Sequence, residues 1–301
     1  MPGTLRSRSN GRLRRGCRLA GLFGLAAASL GCSGTDDTPA SAGFVAQCLG
    51  VSDGALVGAA NVCHVDEHGK VVEVSDVELA QGLPYVVDSH SNQITAVARS
   101  GELVDISGAE ARFLADADGS TAYGFTSESQ LVGLTSDGEF RSADGVLLSE
   151  FGVDGVVDVR SGIDIHGGEV VFTVERASGG FAVAIGDLSS GDVAEITRSD
   201  VFVGQARWSP DGSRLSFVGP DYRSIEVVDR GGDLVASFTP LDRRLSGRFN
   251  APRWIDDDTI VFFDAVPALV EGDVRTGDVE VMSVFDLESG IDAVPVLPVP
   301  A

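Results

Sequence analysis

Residues 208–219 read WSPDGSRLSFVG. Pro210 sits at the second position of a turn and presets its φ, Asp211 caps the turn with its side chain, and Gly212 supplies the positive φ that re-aims the chain. The residues that follow alternate, placing Leu215 and Phe217 on one face, as in a strand. The stretch is therefore a strand–turn–strand unit led by Trp208. A fainter copy, WIDDDTIVFF, returns at 254–263 with Trp254 at its head.

Outward from this unit, a frame recurs. The first core residues of successive second strands are Leu56, Ile94, Leu131, Val170, Leu215 and Ile260, which gives steps of 38, 37, 39, 45 and 45 residues. Each is followed by a second turn that ends in glycine: Gly69, Gly108, Gly145, Gly191, Gly232 and Gly290. Two of these turns share a phrase, DLSSG at 187–191 and DLESG at 286–290. In the fourth unit the strands read directly as GVVDVRSGIDI, EVVFTVERA, FAVAIGDL and DVAEITR. A period near forty residues with four short strands per unit predicts a β-propeller, because one small sheet cannot bury both of its faces alone. The expected fold is all-β: a six-bladed β-propeller of four-stranded antiparallel blades over 43–301. The competing fold is a β-sandwich with coincidental spacing. The closing DAVPVLPVP alternates and carries proline, as an outer edge strand does; the other way to complete the last blade is the segment near Phe44.

The phrase ARWSPDGSRLSFVGPDYRSIEVVDRGG at 206–232 resembles the repeat of the TolB-like propellers, the Pro-Asp-rich relatives of WD repeats. The resemblance implies that Trp208 packs between blades and that Pro210, Asp211 and Gly212 form the tight turn between the first two strands. Trp254 matches the aromatic position, with IDDD in place of SPDG, and the first four units lack the tryptophan. Tol-system members also carry an α/β domain before the propeller, where this sequence has a short tether, so their partners do not carry over.

Composition narrows the class. The chain has 301 residues, is 43% hydrophobic, and carries 22 Lys and Arg against 45 Asp and Glu, a formal net charge of −23. Abundant glycine and valine-rich short segments favour turns and strands. The acidity excludes nucleic acid and anionic lipid head groups as natural partners and keeps an exported domain soluble.

The N-terminus reads as an address. Six arginines precede LAGLFGLAAASLGC, an apolar run too short to span a bilayer, which needs about 20 residues. Its SLGC ending resembles a bacterial lipobox, which implies cleavage before Cys32 and a diacylglycerol on that sulfur; an ordinary secretory peptide is the alternative. Residues 1–31 are then the signal peptide and 32–42 a flexible tether. Ser33 after the cysteine points to the outer membrane, facing the periplasm or the cell surface. Cys48 and Cys63 are the cysteine pair left in the folded part, and outside the cytoplasm they read as a disulfide, or else as two buried thiols.

Candidate chemistry is sparse. GVSDG at 50–54 matches the G-x-S-x-G elbow formally, but that elbow needs a strand-to-helix turn, and no helix is expected here. In HVDEH, a strand would put His64, Asp66 and His68 on one face, as a metal site or a solvated edge. DADGS at 116–120 and Asp256–Asp258 read as calcium ligands or as turn residues. No Ser-His-Asp set, redox cysteine pair or phosphate loop can be assembled.

The functional expectation is a monomeric cell-envelope lipoprotein whose propeller is a noncatalytic protein- or glycan-binding or scaffolding module, with no cofactor. The alternative is a calcium-dependent hydrolase of the gluconolactonase-like six-bladed type.

Overall fold

The computed structural model describes the backbone of residues 44–52, 55–65, 71–79, 86–87, 94–106, 112–117, 121–239, 252–263, 268–284 and 292–296, and side chains over 95–106, 112–117, 121–220, 222–239, 252–262 and 270–281. These residues are all-β, interrupted by two three-residue 3-10 turns. Residues 1–43, where the sequence leads one to expect a signal peptide, a tether and the lipidated Cys32, lie outside the described residues.

The strands form successive antiparallel sheets, met one after another along the chain. The first holds β1 (Phe44–Ser52), β2 (Ala55–Val65) and β3 (Val71–Leu79). The second holds β4 (Val86–Val87), β5 (Ile94–Val97), β6 (Glu102–Asp105) and β7 (Arg112–Asp116). The third holds β8 (Thr121–Phe125), β9 (Leu131–Thr135), β10 (Glu139–Ser142) and β11 (Leu147–Glu150). The fourth has β12 (Gly155–Val157) and β13 (Asp164–His166) along one edge of β14 (Glu169–Arg176), then β15 (Phe181–Asp187) and β16 (Val193–Ser199). The fifth holds β17 (Gly204–Trp208), β18 (Arg214–Val218), β19 (Ile225–Asp229) and β20 (Leu234–Phe238). The sixth holds β21 (Arg253–Asp256), β22 (Thr259–Phe263), β23 (Ala268–Asp273) and β24 (Val279–Val284). The last strand, β25 (Asp292–Val296), returns to the first sheet and pairs antiparallel with β1, Gln47 opposite Val294.

Burial explains why these sheets stack. In β14 the residues alternate between two cores. Val170, Phe172 and Val174 face the third sheet, with Leu134, Phe140 and Ala122. Val171 faces the fifth sheet, with Leu215, Phe217 and Trp208. Strand β18 repeats the pattern, with Leu215 and Phe217 on the fourth-sheet side and Val218 packed with Trp254, Ile260 and Phe262 of the sixth. Sheets buried on both faces read as near-continuous apolar runs rather than strict alternation, as EVVFTV does. The first strands of consecutive sheets lie beside one another: β4 by β8, β8 by β13, β13 by β17, and β17 by β21. Face-to-face sheets whose first strands converge make a propeller-like arrangement.

Four sequence expectations need correction. Leu56 lies in β2, which is third from the β25 edge of its sheet, not second. The displacement arises because a strand 240 residues downstream supplies that sheet's first position, which no local pattern reveals. The chain end accordingly pairs with the first sheet instead of forming an outer edge of the last. GVVDVRSGIDI is not one strand: a 3-10 turn at Val159–Ser161 divides it, with Asp158 accepting from the Arg160 N–H and Gly162 at φ 68° as the exit. In the sixth sheet the turn between the last two strands is Asp273–Asp278 with Gly277, not the one ending at Gly290, which lies outside the described residues. Its sequence DVRTGD copies DLSSGD at 187–192 in chemistry. In each the leading carboxylate accepts two backbone N–H groups, at 2.7 and 3.0 Å for Asp187 and 2.9 and 3.1 Å for Asp273.

Candidate functional site

The SPDG turn closes as a hydrogen-bonded β-turn, the Gly212 N–H donating to the Ser209 carbonyl at 2.8 Å. The Ser209 hydroxyl donates to Asp211 Oδ1 at 2.7 Å and accepts from the Arg214 N–H at 3.0 Å. Asp211 Oδ1 also accepts from the Ser213 N–H at 2.9 Å. The Ser209 hydroxyl, then the Ser213 N–H, hold the Asp211 carboxyl below its ordinary value. Pro210 is exposed, so its contribution is the preset φ rather than packing.

Trp208 is buried and packs between the fourth and fifth sheets. Its backbone N–H donates to Asp164 Oδ2 at 2.8 Å, the His166 ring lies 6.1 Å away, and the Arg230 guanidinium sits over the indole at 5.1 Å. Arg230 also pairs with Glu169 of the fourth sheet and donates to the Gly212 carbonyl at 3.1 Å. Trp254 occupies the matching place one sheet on, buried between the fifth and sixth sheets.

The Asp256–Asp258 run is a clasp between sheets. Asp257 Oδ1 accepts from the Asp211 N–H at 3.0 Å, and Asp258 Oδ1 accepts from Arg214 at 3.1 Å. Arg275 lies 3.5 Å from the other Asp258 oxygen, and Asp256 accepts from the Asp258 N–H at 2.9 Å. Among the described residues no three His, Cys, Asp or Glu side chains are grouped to hold a metal ion. Within HVDEH, the backbone of His64 falls in β2, while Asp66 and His68 lie outside the described residues; so do Asp118–Ser120 of DADGS. Ser52 of GVSDG ends β1, and the next element is the antiparallel strand β2 rather than a helix. In the β1–β2 register Cys48 stands opposite Asn61 and Cys63 opposite Ala46. The two cysteines therefore take diagonal positions on neighbouring strands, about 7–8 Å apart in such a ladder, and their side chains lie outside the described residues.

At the other end of β17 is a cluster that sequence reasoning missed. Gly204 pairs with Val218 and Arg207 with Ser216, so a bulge lies between them. Inside the bulge Gln205 has φ 59° and is buried. Few non-glycine residues adopt this region, and bulges re-aim a side chain next to sites. Gln205 Oε1 and Thr173 Oγ1 have no hydrogen-bond partner, although Thr173 is 0% and Gln205 2% exposed. The surrounding groups converge on Gly204: a Cβ there would stand 2.5 Å from Thr173 Oγ1, 2.8 Å from Ser161 Oγ and 3.1 Å from Phe202 Cζ. Only glycine permits so close an approach. Ser161 ends the 3-10 turn that breaks the fourth sheet's first strand, and its hydroxyl donates to Asp158 Oδ2 at 2.8 Å. Phe202 stacks on Tyr222 with centroids 4.8 Å apart and planes 6° from parallel, and meets Phe181 edge-on at 5.4 Å. Tyr222 is a second residue held at positive φ, 57°. The sequence does carry a signal: in VFVGQA, at 201–206, a glutamine interrupts an otherwise apolar entry into β17.

The cluster is a tightly packed, strained bend in β17 that holds two buried polar atoms without a partner in the protein. No family model matches the chain, and no curated protein matches it. Among solved structures it is similar to a chain from the crystal structure of a nidogen/laminin complex, at 12% identity and a TM-score of 0.48, over 81% of this chain and 93% of that one.

Proposed function

We propose that the protein is an exported lipoprotein, held by a diacylglycerol on Cys32, whose residues 43–301 close into a six-bladed TolB-like propeller. That propeller acts as a noncatalytic protein- or glycan-binding and scaffolding module in the cell envelope, anchored to the outer membrane. The pairing of β25 with β1 supports ring closure, since it staples the chain's end to its first sheet. The observation that carries the binding reading is the strained bulge at Gln205, with its buried, unpartnered amide oxygen. Residues held in rare backbone conformations with unpartnered buried atoms cluster at ligand sites. Multiple acyl chains on one cysteine would retain the domain far better than a single chain.

Two measurements test the reading. Metabolic fatty-acid labelling of the full chain, compared with Cys32→Ser, should show acylation that the variant loses. Crosslinked capture from detergent-solubilised envelope with Cys32 intact should recover a specific partner. A purified domain that holds a stoichiometric divalent ion and hydrolyses lactones would favour the calcium-dependent hydrolase instead.

A further inference from the structure

We infer that the outer edge of the third sheet, at Val146–Leu148, docks a cationic amphipathic segment of a partner protein. The segment's apolar residues would lie on Leu147 and Leu148, and its Lys or Arg side chains beside Asp144 and Glu150. The inference rests on the binding-module reading and deepens it by naming a surface and the chemistry of the partner.

Three consecutive apolar residues stand in solvent here: Val146 is 56%, Leu147 48% and Leu148 51% exposed. Among the described residues no strand pairs with the outer side of β11, the last strand of its sheet. The backbone beneath the patch is fixed, the Ser142 N–H donating to the Val146 carbonyl at 3.0 Å and the Val146 N–H to the Ser142 hydroxyl at 3.1 Å. A bulge falls at Leu148, because Leu147 pairs with Arg141 and Ser149 with Phe140. The outer strands β7, β16, β20 and β24 are bulged in the same way. Bulges guard an edge against pairing with other strands, so contact through side chains, rather than strand addition, is what β11 offers.

Charge selects the occupant. Residues 121–150 hold one basic side chain, Arg141, against five acidic ones: Glu128, Asp137, Glu139, Asp144 and Glu150. Arg141 is committed, 2.5 Å from Glu139 and donating to the Gly145 carbonyl at 2.9 Å. Asp144 and Glu150, exposed at the two ends of the apolar run, have no such cation. The Ser142 hydroxyl holds the Asp144 carboxyl below its ordinary value, so it is ionised at neutral pH. The Asp187–Asp192 turn of the fourth sheet adds carboxylates at the far end, since a Cβ on Gly191 would stand 2.6 Å from the Glu150 carbonyl. Cations on the neighbouring outer strands are matched already, Arg112 with Asp105 at 2.9 Å and Arg176 and Arg198 with Glu195. A second copy of this chain would bring the same acidic edge and a net charge of −23, and anionic lipid is repelled likewise. Strand β20 is the internal contrast. Its bulge exposes Leu234 at 62% and Val235 at 44%, but residues 204–238 carry four basic side chains against five acidic ones.

The test is fluorescence anisotropy of the purified full chain with a labelled heptapeptide, Lys-Lys-Leu-Val-Leu-Lys-Lys, beside the charge-matched Lys-Lys-Ser-Ser-Ser-Lys-Lys. The apolar peptide should bind, and the polar one about tenfold more weakly. Leu147→Ser combined with Leu148→Ser should weaken the apolar peptide about tenfold, and Asp144→Asn combined with Glu150→Gln about threefold. Leu234→Ser combined with Val235→Ser should leave its affinity within about twofold. All these positions are exposed, so Tm should hold in each variant. Equal binding of the two peptides, no binding at about 1 mM, unchanged affinity in both β11 variants, or an equal loss in the β20 variant overturns the inference. Sedimentation velocity settles the other occupant: a dimer that the paired leucine substitutions abolish gives this edge to a second copy and overturns it as well. A chain that is acylated at Cys32 and captures an envelope partner, yet fails these titrations, loses only this surface. A chain that is not acylated loses the envelope reading, with the titrations still deciding the surface.

Discussion

The indole N–H of Trp254 donates to the carbonyl of Arg207 at 3.2 Å, so the tryptophan that heads one sheet is tied to the residue just before the tryptophan that heads the previous one. The bond crosses between sheets where their first strands lie side by side. Trp208 has no such bond: its Nε1 is buried without a partner. The strand it would address is broken there into β12 and β13. Its contacts are instead the Asp164 carboxylate on its backbone and Arg230 over its ring.

Two equivalent substitutions should therefore differ. Trp254→Phe removes a buried hydrogen bond and leaves a carbonyl short of a donor, whereas Trp208→Phe removes an N–H that was already unpartnered. Urea unfolding should show Trp254→Phe to be more destabilising by about 1 kcal/mol, each variant reporting through its remaining tryptophan. Equal losses would mean that the inter-sheet bond contributes nothing.

Gly212 is fixed by its neighbour as well as by its φ of 69°. A Cβ there would stand 2.2 Å from the His166 ring. Gly212→Ala should cost about 1–2 kcal/mol from the left-handed backbone alone, plus a steric part that His166→Ala relieves. A double-mutant cycle should give a favourable coupling of roughly 0.5–1 kcal/mol. Additive losses would show that the ring simply moves aside.

Acid should loosen the turns that carry the propeller-like frame. Asp211 is held below its ordinary pKa by the Ser209 hydroxyl and the Ser213 N–H, and Asp187 by Ser189 and the backbone N–H groups of its turn. A carboxylate whose folded pKa is depressed contributes stability above its unfolded pKa, near 4, and loses it as pH falls through the folded value. The unfolding midpoint in urea should therefore decline as pH drops below about 4. Asp211→Asn should be less stable at pH 7 but show a shallower decline, and a parallel decline in both proteins would exclude Asp211 from the effect.

Truncation after Ile291 should be costly out of proportion to its length. It removes β25 and, with it, the five paired positions along β1. A loss on the order of 3–5 kcal/mol is expected, and the bared β1 edge should promote self-association. Calorimetry and size-exclusion chromatography read the two effects. An unchanged Tm would mean that the strand pairing is dispensable.

Much of this frame was legible in the residues. Five of the six anchors fall in second strands, and three of the four phrases of the fourth unit match single strands to within a residue, the first being divided by its 3-10 turn. Turn chemistry and side-chain alternation are local, and local patterns survive in sequence. What the local pattern does not carry is non-local: DVRTGD and DLESG are both Asp-to-Gly turns, and only pairing shows which one joins the last two strands of the sixth sheet. The site was less legible still. Gln205 looks like one polar residue among many until the bulge opposite Val218 and Ser216 turns it into the protein.

The sequence by itself determined the repeating unit, since Pro210, Asp211 and Gly212 leave the backbone one way to turn and the spacing of apolar residues leaves the strands one kind of partner. Tertiary structure alone decided which carbonyl Trp254 addresses, that Asp292–Val296 joins the first sheet, and that Thr173, Ser161 and Phe202 meet at Gly204. Those meetings join residues tens to hundreds of positions apart. They follow from how twisted sheets stack, a geometry that no short stretch of chain encodes.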